Sequence, residues 1–303
     1  MTAIQQILCP VDFSEFSRRA LDHALGLARC YGSAVTALHV VAPAPVVVPV
    51  PYYFGAEVAP PMTLPPADRG RVASELEAFV SSERAGALRA ATYVAEGPVV
   101  HQEILVQAKR LHADLIVLGT HGRSGFERLF LGSTAEKVLR TARCPVMTVP
   151  PHAPDVMPRG PAPFTRIVCA IDFSDCSQVA LEYALSLARQ SNATLTLVHV
   201  LDSRPLYVDF SPAAVIDLEA WTREARTRLH ALVSDGDRTT CRVSEMVREG
   251  KAYREILRLA DVLDTDLIVL GVRGRGATDL VIFGSTTHHV IRAARCAVLT
   301  VHA

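Results

Sequence analysis

Short apolar runs alternate along this chain with segments whose apolar residues return every three to four positions. The runs QILCPVD (6–12), AVTALHVV (34–41), LRAATYVAE (88–96), DLIVLGT (114–120) and CPVMTVP (144–150) read as strands. Most are continuously apolar, the pattern of strands covered on both faces. Between the first two, Leu21, Ala24, Leu25 and Ala28 form one helical stripe, and Ser14 stands where an N-cap belongs. The pattern then repeats. RIVCAID (166–172), ATLTLVHVL (193–201), TTCRVSEMV (239–247), DLIVLGV (266–272) and CAVLTVH (296–302) are strands, with Leu181, Ala184, Leu185 and Ala188 as the stripe and Ser174 as the cap. Alternating strands and helices imply right-handed crossovers and a parallel sheet with helices on both faces, an α/β fold. In such sheets ligands bind beyond the carboxyl ends of the strands, where the strand order reverses.

The repetition is written residue by residue. ILCPVDFSEFS (7–17) returns as IVCAIDFSDCS (167–177), and residues 112–149 match 264–301 at 19 of 38 positions without a gap. This is a duplication, and it divides the 303 residues into domains at 1–150 and 164–303. The tract between them, PPHAPDVMPRGPAP (150–163), holds six Pro among 14 residues and reads as a semi-rigid linker over 151–163. The first copy carries an extra Pro-rich insert at 43–66 with Tyr52, Tyr53 and Phe54, read either as a solvated loop or as a partner-contacting lid.

Composition narrows the function. Lys+Arg and Asp+Glu are both 31, so no broad basic surface is available for nucleic acid. Residues 31–56 carry no Asp, Glu, Lys or Arg, but Pro43, Pro45, Pro49 and Pro51 interrupt that stretch, and no membrane span is expected. The start MTAIQQILCPVDF lacks a basic segment followed by a long apolar one, so no signal peptide is expected. Seven cysteines without a CxxC read as reduced thiols in a cytoplasmic protein.

The candidate chemistry lies at the ends of the fourth strands. Gly119-Thr120-His121-Gly122 is followed nine residues later by Gly132-Ser133-Thr134 and a helix; Gly271-Val272-Arg273-Gly274 leads likewise to Gly284-Ser285-Thr286. Glycines allow close backbone approach, and a helix N-terminus offers amide donors and a partial positive charge to a phosphate. There is no G-x4-G-K-[ST], no SGGxDS, HIGH or KMSKS run, and no G-x-S-x-G, which excludes a Walker loop, the related adenylating chemistries and a hydrolase nucleophile elbow. His39 and His199 sit inside apolar strands and read as structural, His288 and His289 as surface residues that diverge on a helix, and the single Trp, Trp221, as a core or interface packing residue. No catalytic set and no metal-ligand set stands out.

The doubled G-x2-G-x9-G-[ST] resembles the ATP-binding branch of the universal stress protein family in its tandem two-domain form. That resemblance implies two Rossmann-like domains, each a five-stranded parallel sheet of order 3-2-1-4-5. It implies that Pro10, Val11, Asp12, Val40, Leu118 and Gly119 hold adenosine, and that Gly122, Gly132, Ser133 and Thr134 carry the phosphates, with Arg123 nearby. In the second copy the matching residues are Ala170, Ile171, Asp172, Val200, Leu270, Gly271, Gly274, Gly284, Ser285 and Thr286, with Arg275. Ala170 stands for Pro10 and Leu280 for Arg128, which implies a weaker second site for a triphosphate. Three roles stay open for Asp12 and Asp172: hydrogen bonds to the nucleoside, indirect organisation of Mg2+, or capping of the first helix. The expected ligand is ATP with Mg2+. The expected role is that of a cytoplasmic stress or regulatory protein that signals to a protein partner. The alternatives are an interaction protein with degenerate sites and a slow ATPase. The resemblance also implies that the fifth strands (144–149 and 296–301) pair the two copies within one chain, with a homodimer as a further expectation.

Overall fold

The computed structural model describes residues 4–42, 66–81, 90–120, 131–154, 163–202, 218–272 and 284–302. The first copy runs β1 (Gln6–Pro10), α1 (Glu15–Tyr31), β2 (Ala34–Val41), α2 (Pro66–Val80), β3 (Ala91–Glu96), α3 (Val100–Arg110), β4 (Leu115–Gly119), α4 (Ser133–Thr141) and β5 (Val146–Val149). The second runs β6 (Arg166–Ala170), α5 (Asp175–Ser191), β7 (Thr194–Leu201), α6 (Leu218–Ala231), α7 (Asp235–Thr240), β8 (Arg242–Glu249), α8 (Ala252–Val262), β9 (Leu267–Gly271), α9 (Ser285–Ala293) and β10 (Ala297–Val301). All ten strands join one sheet of order β3-β2-β1-β4-β5-β10-β9-β6-β7-β8. Each half therefore has the order 3-2-1-4-5, with parallel neighbours throughout.

The halves meet where β5 and β10 pair antiparallel, Thr148 opposite Val298 and Val146 opposite Thr300. Two fully buried hydroxyls are satisfied there: Thr148 Oγ1 donates to Val298 O (3.3 Å) and Thr300 Oγ1 to Val146 O (3.1 Å). Each copy offers the same residues to the other, as a two-fold interface requires. The sheet has helices on both faces. On one face Ile7, Cys9, Leu115, Met147 and Leu299 pack with α1 and α5; on the other Leu8, Ile116, Val146 and Val298 pack with α3, α4, α8 and α9. Neighbours in sequence point to opposite faces, as the pleat demands. Each of these two core layers runs through both copies.

The Leu21 and Leu181 stripes are buried under α1 and α5 as their spacing requires. Ser14 Oγ accepts from Ser17 N and Ser174 Oγ from Ser177 N, capping the two helices. Both helices end on a left-handed residue, Gly32 (φ 69°) and Asn192 (φ 50°), residue types that tolerate it. At the other end of the sheet, Asp114 Oδ2 accepts from the Gln5 and Gln6 amides, and Asp266 Oδ2 from Thr165 and Arg166, pinning the first strand of each half to its fourth.

Two sequence expectations need correction. The strand read from Thr239 begins at Arg242, because Ser234 caps a short helix, α7, that takes Thr239 and Thr240. Trp221 is 44% exposed on α6 and packs into no core. All of the insert except Pro66, the linker over 155–162, and Gly122, Arg123, Gly274 and Arg275 lie outside the described residues.

Candidate functional site

The turn after β1 forms the first wall. Val11 N donates to Leu38 O (2.8 Å), tying the turn to β2. The next residues curl tightly: Asp12 Oδ1 accepts from Ser14 N (3.1 Å) and Ser14 Oγ (2.5 Å). Phe13 adopts φ 65°, and Phe173 in the second copy φ 62°. A bulky side chain in that region is strained by about 1–2 kcal/mol, so the surroundings must hold it. They do so through rings. Phe13 lies 4.4 Å from the His39 ring centroid and 5.6 Å, edge-on, from Phe79 of α2. The Arg18 guanidinium covers Phe79 at 3.5 Å and donates to its carbonyl. His39 Nδ1–H donates to Val11 O (2.8 Å), which fixes the orientation of the ring.

The second wall is the end of β4. A Cβ on Gly119 would meet Phe16 O at 3.0 Å, so the first turn of α1 requires glycine here. Thr120 N donates to Val149 O and Gly132 N to Thr120 O (2.8 Å), so the start of α4 is tied to the end of β4. Gly132 then occupies the N-cap of α4 with no side-chain cap. The amides of the first turn are the groups such a terminus leaves to an outside acceptor.

Between these walls lies a cavity of about 560 Å³, inside the size range of small-molecule sites. Pro10, Val11, Asp12, Val40, Leu118, Gly119, Gly132, Ser133 and Thr134 all line it. It opens at the carboxyl ends of β1, β2 and β4, where the strand order reverses. Sequence reasoning missed Ser17, Leu38, Val41, Ala42, Val100, Ile104 and Ala135, and treated His39 as buried structure when it lines the cavity half-exposed. Val100 and Ile104 stand four apart on α3, a spacing that could have shown them as one face. The capping role for Asp12 is corrected: Ser14 caps α1, and Asp12 braces the cap.

The second copy reproduces the frame. Ala170 ends β6, and Ile171 N donates to Val198 O (2.9 Å). Asp172 Oδ1 accepts from Ser174 N and Oγ, and His199 Nδ1–H donates to Ile171 O (2.7 Å). Val200 lies on neighbouring β7, Leu270 and Gly271 end β9, and Gly284, Ser285 and Thr286 open α9. Gly284 N closes on Val272 O (3.0 Å) as Gly132 does on Thr120.

The sequence profile of the universal stress protein family matches residues 3–150 and again 163–302. The chain belongs to that family. A universal stress protein of Mycolicibacterium smegmatis is 25% identical over 316 aligned residues, covering 97% of this chain and 96% of the relative. One from Methanocaldococcus jannaschii is 33% identical over 156 residues, 48% of this chain and 81% of its own. A universal stress protein crystal structure from Archaeoglobus fulgidus superposes with a TM-score of 0.66 over 100% of this chain and 98% of that one; at 23% identity the likeness is one of fold. Among the described residues of this universal stress protein no helix is long and apolar enough to cross a membrane, and no three His, Cys, Asp or Glu converge as a metal site.

Proposed function

We propose that this universal stress protein binds ATP in the first-copy cavity, as a cytoplasmic regulatory protein whose nucleotide state is read by a protein partner. The observation that carries this reading is the cavity itself. Its walls offer an apolar slot between Val11, Leu38, Val40 and Leu118, suited to a flat base, beside an α4 N-terminus without a side-chain cap, suited to phosphate. Asp12 is the one carboxylate among the lining residues. With no cluster of three His, Cys, Asp or Glu among the described residues, a Mg2+ would arrive on the phosphates.

We propose binding rather than fast turnover. Asp12 Oδ1 already accepts from Ser14 N and Ser14 Oγ in bracing the α1 cap, so this carboxylate is not arranged as a dedicated base. The test is the nucleotide content of the purified, denatured protein by mass spectrometry, followed by titration with ATP and Mg2+. Gly132→Val sets a branched side chain at the mouth of the helix terminus and is expected to remove detectable binding with the fold intact by circular dichroism. Unchanged affinity in that variant would overturn the assignment of this cavity.

A further inference from the structure

Resting on the nucleotide reading above, we propose that the two copies are not equivalent: the first takes ATP, and in the second Thr287 and Asp202 exclude it. The chain would then hold one nucleotide, with the second copy acting as its scaffold partner.

The frame of the two clefts is the same, so the difference must lie in the residues that fill it. In the first copy Gly119, at the end of β4, and Ala135, in the first turn of α4, both line the cavity. The gap between those two elements is therefore open to a ligand. The residue matching Ala135 in the second copy is Thr287. Its side chain is buried, and its Oγ1 donates to Gly271 O at 2.9 Å. Thr287 thus spans from the first turn of α9 to the end of β9, across the gap that Ala135 leaves open. It also engages one of the two lone pairs of the strand-end carbonyl. A satisfied buried hydrogen bond is costly to break without replacement.

The mouth changes in the same sense. Ala42 lines the first cavity, and the matching residue at the end of β7 is Asp202, which is exposed. The change sets a longer, polar side chain where the first copy has a methyl group. Behind it Ala170 replaces Pro10 and Ala252 replaces Val100, so the apolar contact available to a base shrinks. The glycine loops differ little in their count of charges, although Leu280 stands where Arg128 does. Each contains two Arg and one acidic residue: Arg123, Arg128 and Glu127 in the first, and Arg273, Arg275 and Asp279 in the second.

Equilibrium dialysis of the full chain with ATP and Mg2+ reads the stoichiometry directly. The expected result is one ATP per chain, lost in Gly132→Val and retained in Gly284→Val. In the Gly132→Val background, Thr287→Ala with Asp202→Ala should restore one site, with affinity within about tenfold of the original. Thr287→Ser with Asp202 intact keeps both the bridging hydroxyl and the charge and should restore none. Two ATP per chain in the unaltered protein, or one that survives Gly132→Val and vanishes in Gly284→Val, would overturn the asymmetry. Failure of Thr287→Ala with Asp202→Ala to restore binding would overturn the assignment of these two residues. No binding at all to the unaltered protein would instead sink the nucleotide reading, and this inference with it.

Discussion

The first and second copies agree most closely where they hold the sheet together and least where they face the clefts. At the seam both offer the same buried Thr to the other's strand carbonyl. At the strand starts both use one aspartate to pin two neighbouring backbone amides. Around the turn after the first strand the solutions separate. In the first copy Phe13 is held by the His39 ring and by Phe79 of α2, which Arg18 covers. In the second the corresponding phenylalanine, Phe173, keeps its histidine partner but is covered directly by Arg228 of α6 at 3.9 Å. A strained backbone turn is thus retained in both copies while the groups bracing it differ. The difference teaches that the turn's geometry, rather than any one packing solution, is the constant of this fold, and that the cleft side is where the halves specialise.

The sharpest way to break this comparison is at the glycines closing the fourth strand of each half. A Cβ on Gly271 would meet Cys176 Cβ at 2.7 Å and its carbonyl carbon at 2.9 Å, whereas on Gly119 the nearest atoms are Phe16 O at 3.0 Å and its carbonyl carbon at 3.1 Å. The obstacles are helix backbone and, at Gly271, the Cys176 Cβ fixed to it, none of which can swing aside. Both Gly→Ala variants should destabilise by about 1–3 kcal/mol, the range for overpacking, with Gly271→Ala at the upper end and Gly119→Ala at the lower. Urea denaturation reads the order. A larger loss for Gly119→Ala would show that α1, not α5, sits tighter on the sheet.

A pH-dependent effect separates the two cysteines just before the fifth strands. Burial pushes the Cys144 thiol up from its ordinary 9.0 to about 11 and the Cys296 thiol up to about 12. The folded state therefore holds both protons more tightly than the unfolded chain. Their contribution is present in full below about pH 9 and is lost as pH rises through the folded values. Each thiol should lower stability by about 1.4 kcal/mol per pH unit over its window. Cys144→Ala and Cys296→Ala should flatten the alkaline slope equally up to about pH 11, and only Cys296→Ala above it. Equal flattening over the whole range would show that the two environments are alike.

Much of this was legible in the chain. The strands announce themselves as apolar runs, the helices as Leu/Ala stripes with Ser caps, and the strand-end glycines as repeated punctuation, because each is a local signal. What escaped depends on distant contacts. The merging of the two sheets through β5 and β10 was expected from the family resemblance and not from the residues themselves, whose only local trace of it is a Thr inside an otherwise apolar strand, Thr148 and Thr300. The left-handed Phe13 and Phe173 run against side-chain preference and are held by rings from other elements. The misplaced start of β8 came from reading Thr239 and Thr240 by their β preference, when the Ser234 cap and the acidic Asp235 and Asp237 behind it start a helical turn. In the cavity, the residues at strand ends were visible by spacing, while Val100, Ile104 and Ala135 come from helices that the crossovers bring over the sheet.

The finest test combines equality and difference in one pair of variants. Ser14 Oγ accepts from Ser17 N at 3.2 Å and donates to Asp12, and Ser174 Oγ accepts from Ser177 N at 3.3 Å and donates to Asp172. Losing a helix N-cap costs about 1 kcal/mol, so Ser14→Ala and Ser174→Ala should lower stability equally, and the double variant by the sum, since the caps share no partner. Ligand binding should split them. Ser14→Ala removes a donor that orients the Asp12 carboxylate on the cavity wall and should weaken ATP binding several-fold. Ser174→Ala, acting in the copy whose gap Thr287 bridges, should leave the affinity unchanged. Thermal melts give the first comparison and calorimetric titration the second. Equal losses of affinity would mean that the two turns serve the ligand alike, and unequal losses of stability that the two caps, alike in geometry, are not alike in energy.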